Sequence, residues 1–482
     1  MKLPQIIQGG MGVGISNWRL ANAVSRQGQL GVVSGTALDQ ILARRLQDGD
    51  PGGHMRRGLD RFPMRAMAER IWQRYYIPGG KPERQPYVEL PTHALDSPRE
   101  LVELCIVANF VEVFLAREGH AHPVGINYLE KIQLPHLPSI YGSMLAGVAV
   151  VAMGAGIPLK IPNALDLLAN HQVATYPLHV TGARPGEEFV TRFDPALYLE
   201  GPMAALARPS FLAIISSDVL GLTMQRKANG RVDGFIVEGP TAGGHNAPPR
   251  GKLQLTESGE PIYGDRDRVD LVKLRALGLP FWLAGGYGSP DKLAEALALG
   301  ATGVQVGTAF ALCAESGMRA DFRATLLRHV AAGEARVYTD PLASPTGFPF
   351  KVAGVEGSLS DPELYATRPR ICDLGYLREA YRTDSGAVGW RCPAEPANVY
   401  VSKGGAVDDT VGRKCICNAL IATAGHPQIR AGKYLEPGVV TSGDDLPSLR
   451  QFLHADGSDY TAADVVARLL VGASPDNSRT ST

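Results

Sequence analysis

Apolar residues in this chain fall into short runs closed by glycine. These alternate with stretches whose apolar positions recur at helical spacing. Residues 280–310 show the unit most cleanly. Residues 281–284 (FWLA) are an apolar run ending at Gly285-Gly286. Ser289 and Pro290 stand as N-cap and first turn of a helix carrying Leu293, Ala296, Leu297 and Leu299 on one side, and Gly300 stops it. Residues 303–306 (GVQV) form a second run, ending at Gly307-Thr308. A helix between two apolar strands predicts parallel pairing, since a parallel connection needs a crossover.

The same alternation predicts strands at 4–8, 30–34, 123–128, 148–153, 211–216, 234–238, 281–284 and 303–306. Helices are expected at 17–27 (capped by Ser16), 139–146, 163–170, 219–228 and 266–277, with a closing helix at 317–332. Eight alternating units predict an α/β fold, a (β/α)8 TIM barrel. The opening glycines, Gly9-Gly10-Met11-Gly12-Val13-Gly14, are spaced G-x-G-x-G. The next strand ends without an acidic residue, so a dinucleotide-binding opening is rejected.

Two regions break the repeat. Residues 36–121, with helical stretches at 37–47, 61–75 and 98–118, read as a helical insertion after strand two, a flap on or beside the barrel mouth. Residues 174–180 and 188–193 read as an inserted hairpin, and His179 within it as structural. The expected organisation is a barrel over 1–350, an irregular cysteine-containing C-terminal extension over 351–473, and a disordered Ser/Pro/Asp/Asn/Arg/Thr tail over 474–482.

Composition narrows the class. Lys+Arg and Asp+Glu are 48 each, so nothing points to a polyanion such as nucleic acid. The longest apolar run, 145–159, is interrupted by glycines and Pro158 and is too short for a membrane helix. Glycines begin at Gly9, leaving no room for a leader in front of them, and six cysteines are too few for a disulfide scaffold. A soluble cytoplasmic protein is expected.

Candidate chemistry gathers where barrel strands end. Glycines after strands seven and eight let backbone N–H groups approach an anion, and in barrels these two loops commonly hold phosphate. Strand six ends Glu238-Gly-Pro-Thr-Ala-Gly243-Gly244-His245. A histidine there lies at the catalytic face, with an ordinary pKa suited to proton transfer.

Met11 with its flanking glycines, GIN at 125–127, AGGH at 242–245, AGG at 284–286 and VGT at 306–308 resemble the nitronate monooxygenase (2-nitropropane dioxygenase-like) family. The resemblance implies an FMN-binding barrel with His245 as catalytic base. It places the FMN phosphate on Gly285, Gly286, Gly307 and Thr308, and the flavin along Gly9, Gly10 and Met11. Asn127, Ser216, Glu238, Gly243 and Gly244 are expected beside it. The chain departs from the family pattern in strand five, where Ser216 and Ser217 replace a lysine, and at Thr346-Gly-Phe-Pro with Lys351 beyond.

The leading reading is oxidation of a nitronate, nitroalkane or similar carbon acid, with a small-molecule substrate and O2 or NAD(P)H as partner. FMN-dependent enoyl-acyl-carrier-protein reductases share the motifs, which makes an NAD(P)H-dependent enoyl-thioester reductase the alternative. A non-catalytic flavin-binding scaffold is the third. Cys372, Cys392, Cys415 and Cys417 could hold zinc or an iron–sulfur cluster, but their spacing matches no C-x-x-C pair, and buried free thiols are the leading reading.

Overall fold

The computed structural model describes residues 3–455 and 459–471. The predicted tail lies outside the described residues. Eight parallel strands form one sheet: β1 (Ile6–Gln8), β2 (Gly31–Ser34), β3 (Val124–Leu129), β4 (Val150–Gly154), β5 (Ser210–Ile215), β6 (Gly234–Glu238), β7 (Phe281–Ala284) and β8 (Gly303–Val306). β8 pairs with β1 in the register Ile6↔Val304 to Gln8↔Val306. The seam between β1 and β2 closes through an Ile7↔Leu30 bridge and through the buried Gln8 side chain. The Gln8 carboxamide accepts from Val32 N (3.0 Å) and donates to Val32 O (3.1 Å), doing there what a ladder does elsewhere. The expected barrel is present, strand for strand.

The strands carry apolar residues on both faces because both are covered. Ile7, Val32, Ala152, Leu212, Ile236 and Trp282 fill the barrel interior. Trp282 is 2 % exposed and donates its indole N–H to Pro4 O at 2.8 Å. Alternate residues such as Val33, Ile126, Val151, Phe211, Phe235 and Leu283 pack outward under the helices.

The chain's longer helices begin with α1 (Trp18–Arg26), α2 (Leu38–Gln47), α3 (His54–Leu59), α4 (Arg65–Tyr75), α5 (Arg99–Ala116), α6 (His136–Leu145), α7 (Ile161–Ala169) and α8 (Asp218–Lys227). Asn17, not the expected Ser16, caps α1, its side chain accepting from Leu20 N at 3.0 Å. The difference follows from Ser16 being spent inside the preceding loop, as shown below. α5 packs against α1, α2 and α6 and against β2 and β3, so it takes the second helix position of the barrel. The helical insertion is therefore confined to the stretch before it. α5 had looked like part of the flap because it is buried on nearly all sides and carries no polar face.

Then come α9 (Leu271–Arg275), shorter than the stretch expected, α10 (Pro290–Ala298), α11 (Thr308–Ala311) and α12 (Ala320–Ala332). Residues 337–353 form a hairpin, followed by α13 (Pro362–Thr367), α14 (Ala397–Ser402), α15 (Ile416–Thr423) and α16 (Ala462–Leu470). α16, not α12, stands between α1 and α10 and closes the ring of helices. The irregular residues are thus threaded between β8 and the barrel's last helix, which brings them over the mouth. The inserted hairpin pairs Ala174–Pro177 with Val190–Phe193, and Val180–Thr181 joins a sheet with Glu379–Arg382 of the extension.

Candidate active site

At the C-terminal ends of the strands, one cavity is lined by Gly9, Gly10 and Met11 after β1, Asn127 on β3, and Glu238, Gly243, Gly244 and His245 after β6. Gly285 and Gly286 after β7 and Gly307 and Thr308 after β8 complete its barrel side. Of the residues expected from sequence, Ser216 alone does not line it; Ile214 does instead, and Ser217 caps α8.

The first loop is a tight knot. Ser16 Oγ accepts from Met11 N (2.8 Å) and donates to Gly9 O (2.8 Å), and a Cβ on Gly10 would stand 2.4 Å from that of Asn127. Glycine is therefore required at position 10 for close approach. After β7, Gly285 (φ 89°) and Gly286 (φ 74°) both occupy the left-handed region. Among the described residues, the N–H groups of Gly285, Gly286 and Gly307 donate to no protein acceptor. Backbone donors left in this way at a cavity wall suit an anion.

Loop six is stitched to the extension. Lys351 N donates to Gly244 O (3.0 Å), Asn246 N to Pro349 O (2.9 Å), and Gly244 N to Thr441 Oγ1 (2.7 Å). His245 is partly buried. It packs edge-on against Phe350, ring centroids 4.9 Å apart, with Nε2 2.7 Å from Ser344 Oγ. Burial, together with the Lys131 charge, pushes the imidazole down to about 3, so the ring is neutral at physiological pH. Lys131 is itself lowered to about 8 by burial. Glu238, at the cavity end of β6, moves the other way: burial raises its carboxyl to about 7.

Thr308 also lines this wall. Its hydroxyl accepts from Gly443 N (3.1 Å) and donates to Asp445 Oδ1 (2.6 Å), so it is engaged with the extension. The extension supplies much of the remaining wall, including Tyr376, Cys417, Thr441 and Asp445. Nothing periodic marks these residues in the sequence; only position in the fold brings them to the mouth.

The four C-terminal cysteines do not form the metal or iron–sulfur site considered from sequence. Cys372, Cys392 and Cys415 pack in one small apolar cluster, whereas Cys417 lines the cavity. All six cysteines are free, and no three of these four sulfurs lie within 4.8 Å of one another. Residues two apart at a helix start point to different sides, which separates Cys415 from Cys417. Among the described residues, the group of metal-type donors that does converge is Asp39, His93 and Cys105, all buried. It is already bonded internally: Asp39 takes His93 Nε2 at 3.0 Å and the Tyr376 hydroxyl at 2.6 Å.

Residues 210–335 match the nitronate monooxygenase family. Over that stretch the barrel is similar to nitronate monooxygenases. A nitronate monooxygenase of Pseudomonas aeruginosa is 38% identical over 117 residues, 24% of this chain and 32% of the relative. One of Paraburkholderia phytofirmans is 30% identical over 195 residues, 39% of this chain and 49% of the relative. The chain thus spans less than half the length of the curated relatives it matches. Among solved structures, FabK from Thermotoga maritima shares 16% identity with a TM-score of 0.48, covering 97% of this chain and 92% of that one. A nitroalkane oxidase from Streptomyces ansochromogenes shares 16% identity with a TM-score of 0.44, covering 97% and 95%. Among the described residues, no helix is long and apolar enough to cross a membrane.

The similarity to nitronate monooxygenases implies a flavin. The glycine-lined wall fits one: a Cβ at Gly307 would approach nothing nearer than Met11 Sδ at 3.5 Å, and one at Gly244 would meet nothing within 4 Å. Asp445, which also lines the cavity, lies outside the matched stretch.

Proposed function

We propose that this chain is a flavin-dependent oxidoreductase of a small carbon acid, with a nitronate or its parent nitroalkane as the substrate class. The observation that carries the reading is the convergence of three unpaired glycine N–H groups, Glu238 and His245 on one cavity, within the stretch that matches the family. Gly285, Gly286 and Gly307 would hold the phosphate of FMN, and Gly9, Gly10, Met11 and Asn127 would border its ring. Bound there, the flavin would supply the two-electron chemistry that no side chain in the cavity can perform.

The protein's own part is to handle the proton. His245, held neutral by burial, is in its acceptor form throughout the physiological range. Ser344, bonded in turn to Thr346 Oγ1 at 2.8 Å, fixes the imidazole ring while it takes the proton from the carbon beside the nitro group. Glu238 titrates near neutrality and sets the charge of the cavity floor. Loop six is pinned to the extension through Phe350 and Thr441, which holds His245 in place at the cavity wall.

Ser216 does not line the cavity, so the departure in strand five lends the enoyl-thioester reductase alternative no support. The test is anaerobic mixing of the purified, flavin-loaded chain with a nitronate, a nitroalkane or NADPH. Bleaching by the nitro compounds supports the reading. Rapid bleaching by NADPH alone, followed by reoxidation on an enoyl thioester, replaces it with the reductase. Failure to bleach with any donor leaves a flavin-binding scaffold.

A further inference from the structure

The phosphate end of the cavity contains a carboxylate. Asp445 enters it from the extension, at the residue before the 3-10 turn Leu446–Phe452. Its Oδ1 takes the Thr308 hydroxyl at 2.6 Å and would lie 2.7 Å from a Cβ on Gly443; its Oδ2 would lie 3.1 Å from a Cβ on Gly288 in loop seven. The side chain therefore stands between loops seven and eight, beside the glycines whose N–H groups lack acceptors.

Among the described residues, no cation pairs with it. Lys351, the buried lysine of this region, is committed to the neighbouring Asp444 at 2.7 Å and to Thr339 at 2.7 Å. The ionisable groups facing Asp445 are Asp444 on its own turn and Tyr460 ahead of α16. Thr308 from loop eight offers only its hydroxyl, and Tyr287 from loop seven lines the cavity as a neutral phenol. Burial, reinforced by the Asp444 charge, raises the Asp445 carboxyl. Two anions in contact cannot both keep full charge in a site of low dielectric.

We propose that Asp445 governs how tightly the cavity holds a phosphate-bearing flavin, accepting a proton when the phosphate enters and opposing it when ionised. The proposal rests on the flavin reading above and adds to it a residue of the extension, outside the stretch 210–335 that matches the family. Each FMN bound then takes up as much as one proton. Above the free-state pKa of Asp445, the dissociation constant for FMN rises with pH by as much as ~10-fold per unit. Riboflavin has no phosphate and escapes this dependence.

The test is fluorescence titration of the flavin-stripped full chain with FMN and with riboflavin from pH 5.5 to 8.5, in wild type, Asp445→Asn and Asp445→Ser. Asn preserves an acceptor for Thr308 and isolates the charge; Ser serves if the amide perturbs folding, which melting curves report. The phosphate's own second ionisation, near pH ~6, is common to all three proteins and cancels in the comparison. The expected result is FMN affinity that weakens with pH more steeply in wild type than in either variant, with both variants ~10-fold or more tighter at pH 8.5. Riboflavin affinity should be equal in all three at every pH. FMN curves that superpose, or weaker FMN binding by both variants, would overturn the proposal and leave the flavin assignment standing. Binding of neither flavin by any of the three would overturn that assignment and this proposal together.

Discussion

His245 Nε2 and Ser344 Oγ meet at 2.7 Å across the seam between loop six and the extension. The barrel thus contributes the imidazole and the inserted C-terminal residues hold it. Ser344 is fully buried, bonds Thr346, and its own carbonyl accepts from Arg413 at 2.6 Å. Ser344→Ala should leave the imidazole present but unheld. Turnover of a neutral nitroalkane is expected to fall ~10-fold or more, with flavin content unchanged by absorbance. An unchanged rate would show that the seam does not orient the ring.

Glu238 gives a stability prediction with a definite sign. Its carboxyl is raised from the usual value to about 7, so burial disfavours the charged form in the folded state. Stability is intact below the unfolded pKa near 4.3 and is lost as pH rises toward 7, by about 3 kcal/mol at most. Glu238→Gln should therefore melt with wild type at pH 4.5 and above it at pH 8. Thermal unfolding of the flavin-free protein at the two pH values checks this, and equal melting at pH 8 would refute it.

Two glycines should fail in different ways. A side chain at Gly10 collides with Asn127 Cβ at 2.4 Å, so Gly10→Ala is expected to destabilise the loop by about 1–3 kcal/mol, seen in thermal melts. At Gly307 the space on the cavity side is open, with Met11 Sδ at 3.5 Å. Gly307→Asp should therefore fold and melt normally while losing FMN, because its carboxylate enters beside the orphan N–H groups. Mass identification of cofactor released by heat reads the outcome; retained FMN would place the phosphate elsewhere.

The cysteines should carry no metal. Protein purified without chelators is expected to contain no stoichiometric zinc or iron by elemental analysis, since the four C-terminal sulfurs do not converge. Cys415 is 5 % exposed, so Cys415→Ser should cost about 1 kcal/mol through burial of a hydroxyl in an apolar cluster. Stoichiometric metal lost in that variant would contradict the geometry.

The barrel was legible because a strand buried on both faces must be apolar throughout, and runs such as Phe281–Ala284 closed by glycine have few other readings. α5 was misplaced for the same reason that the strands were found: a helix buried on nearly every side shows no alternation of faces, so its role as a barrel helix had no mark of its own. Ser16 has the residue type of a cap, but its hydroxyl closes the Gly9–Met11 knot and Asn17 takes the cap. The glycines, Glu238 and His245 were found because they sit at fixed offsets from strand ends. Asp445, Tyr376 and Ser344 lie in irregular segments, where long-range packing against the mouth decides their place and no local pattern reports it.

The role of His245 is decided by comparing two ionisation states of one substrate. Burial and the Lys131 charge hold its pKa near 3, so the acceptor form persists and the rate should show no limb near the ordinary imidazole value of ~6.5. A limb near 7, if present, belongs to Glu238 and should vanish in Glu238→Gln. His245→Asn should keep the flavin, because the ring lies at the mouth and not among the glycines that would hold phosphate. Its turnover of the neutral nitroalkane should drop by ~10²–10⁴, the usual worth of a positioned base. The pre-formed nitronate has already lost that proton, so its turnover should drop far less. Equal losses on the two forms would mean that His245 orients the substrate and does not take its proton. Near-normal turnover of the neutral form would move the base to another group, with Glu238 the remaining carboxyl on the barrel side of the cavity wall.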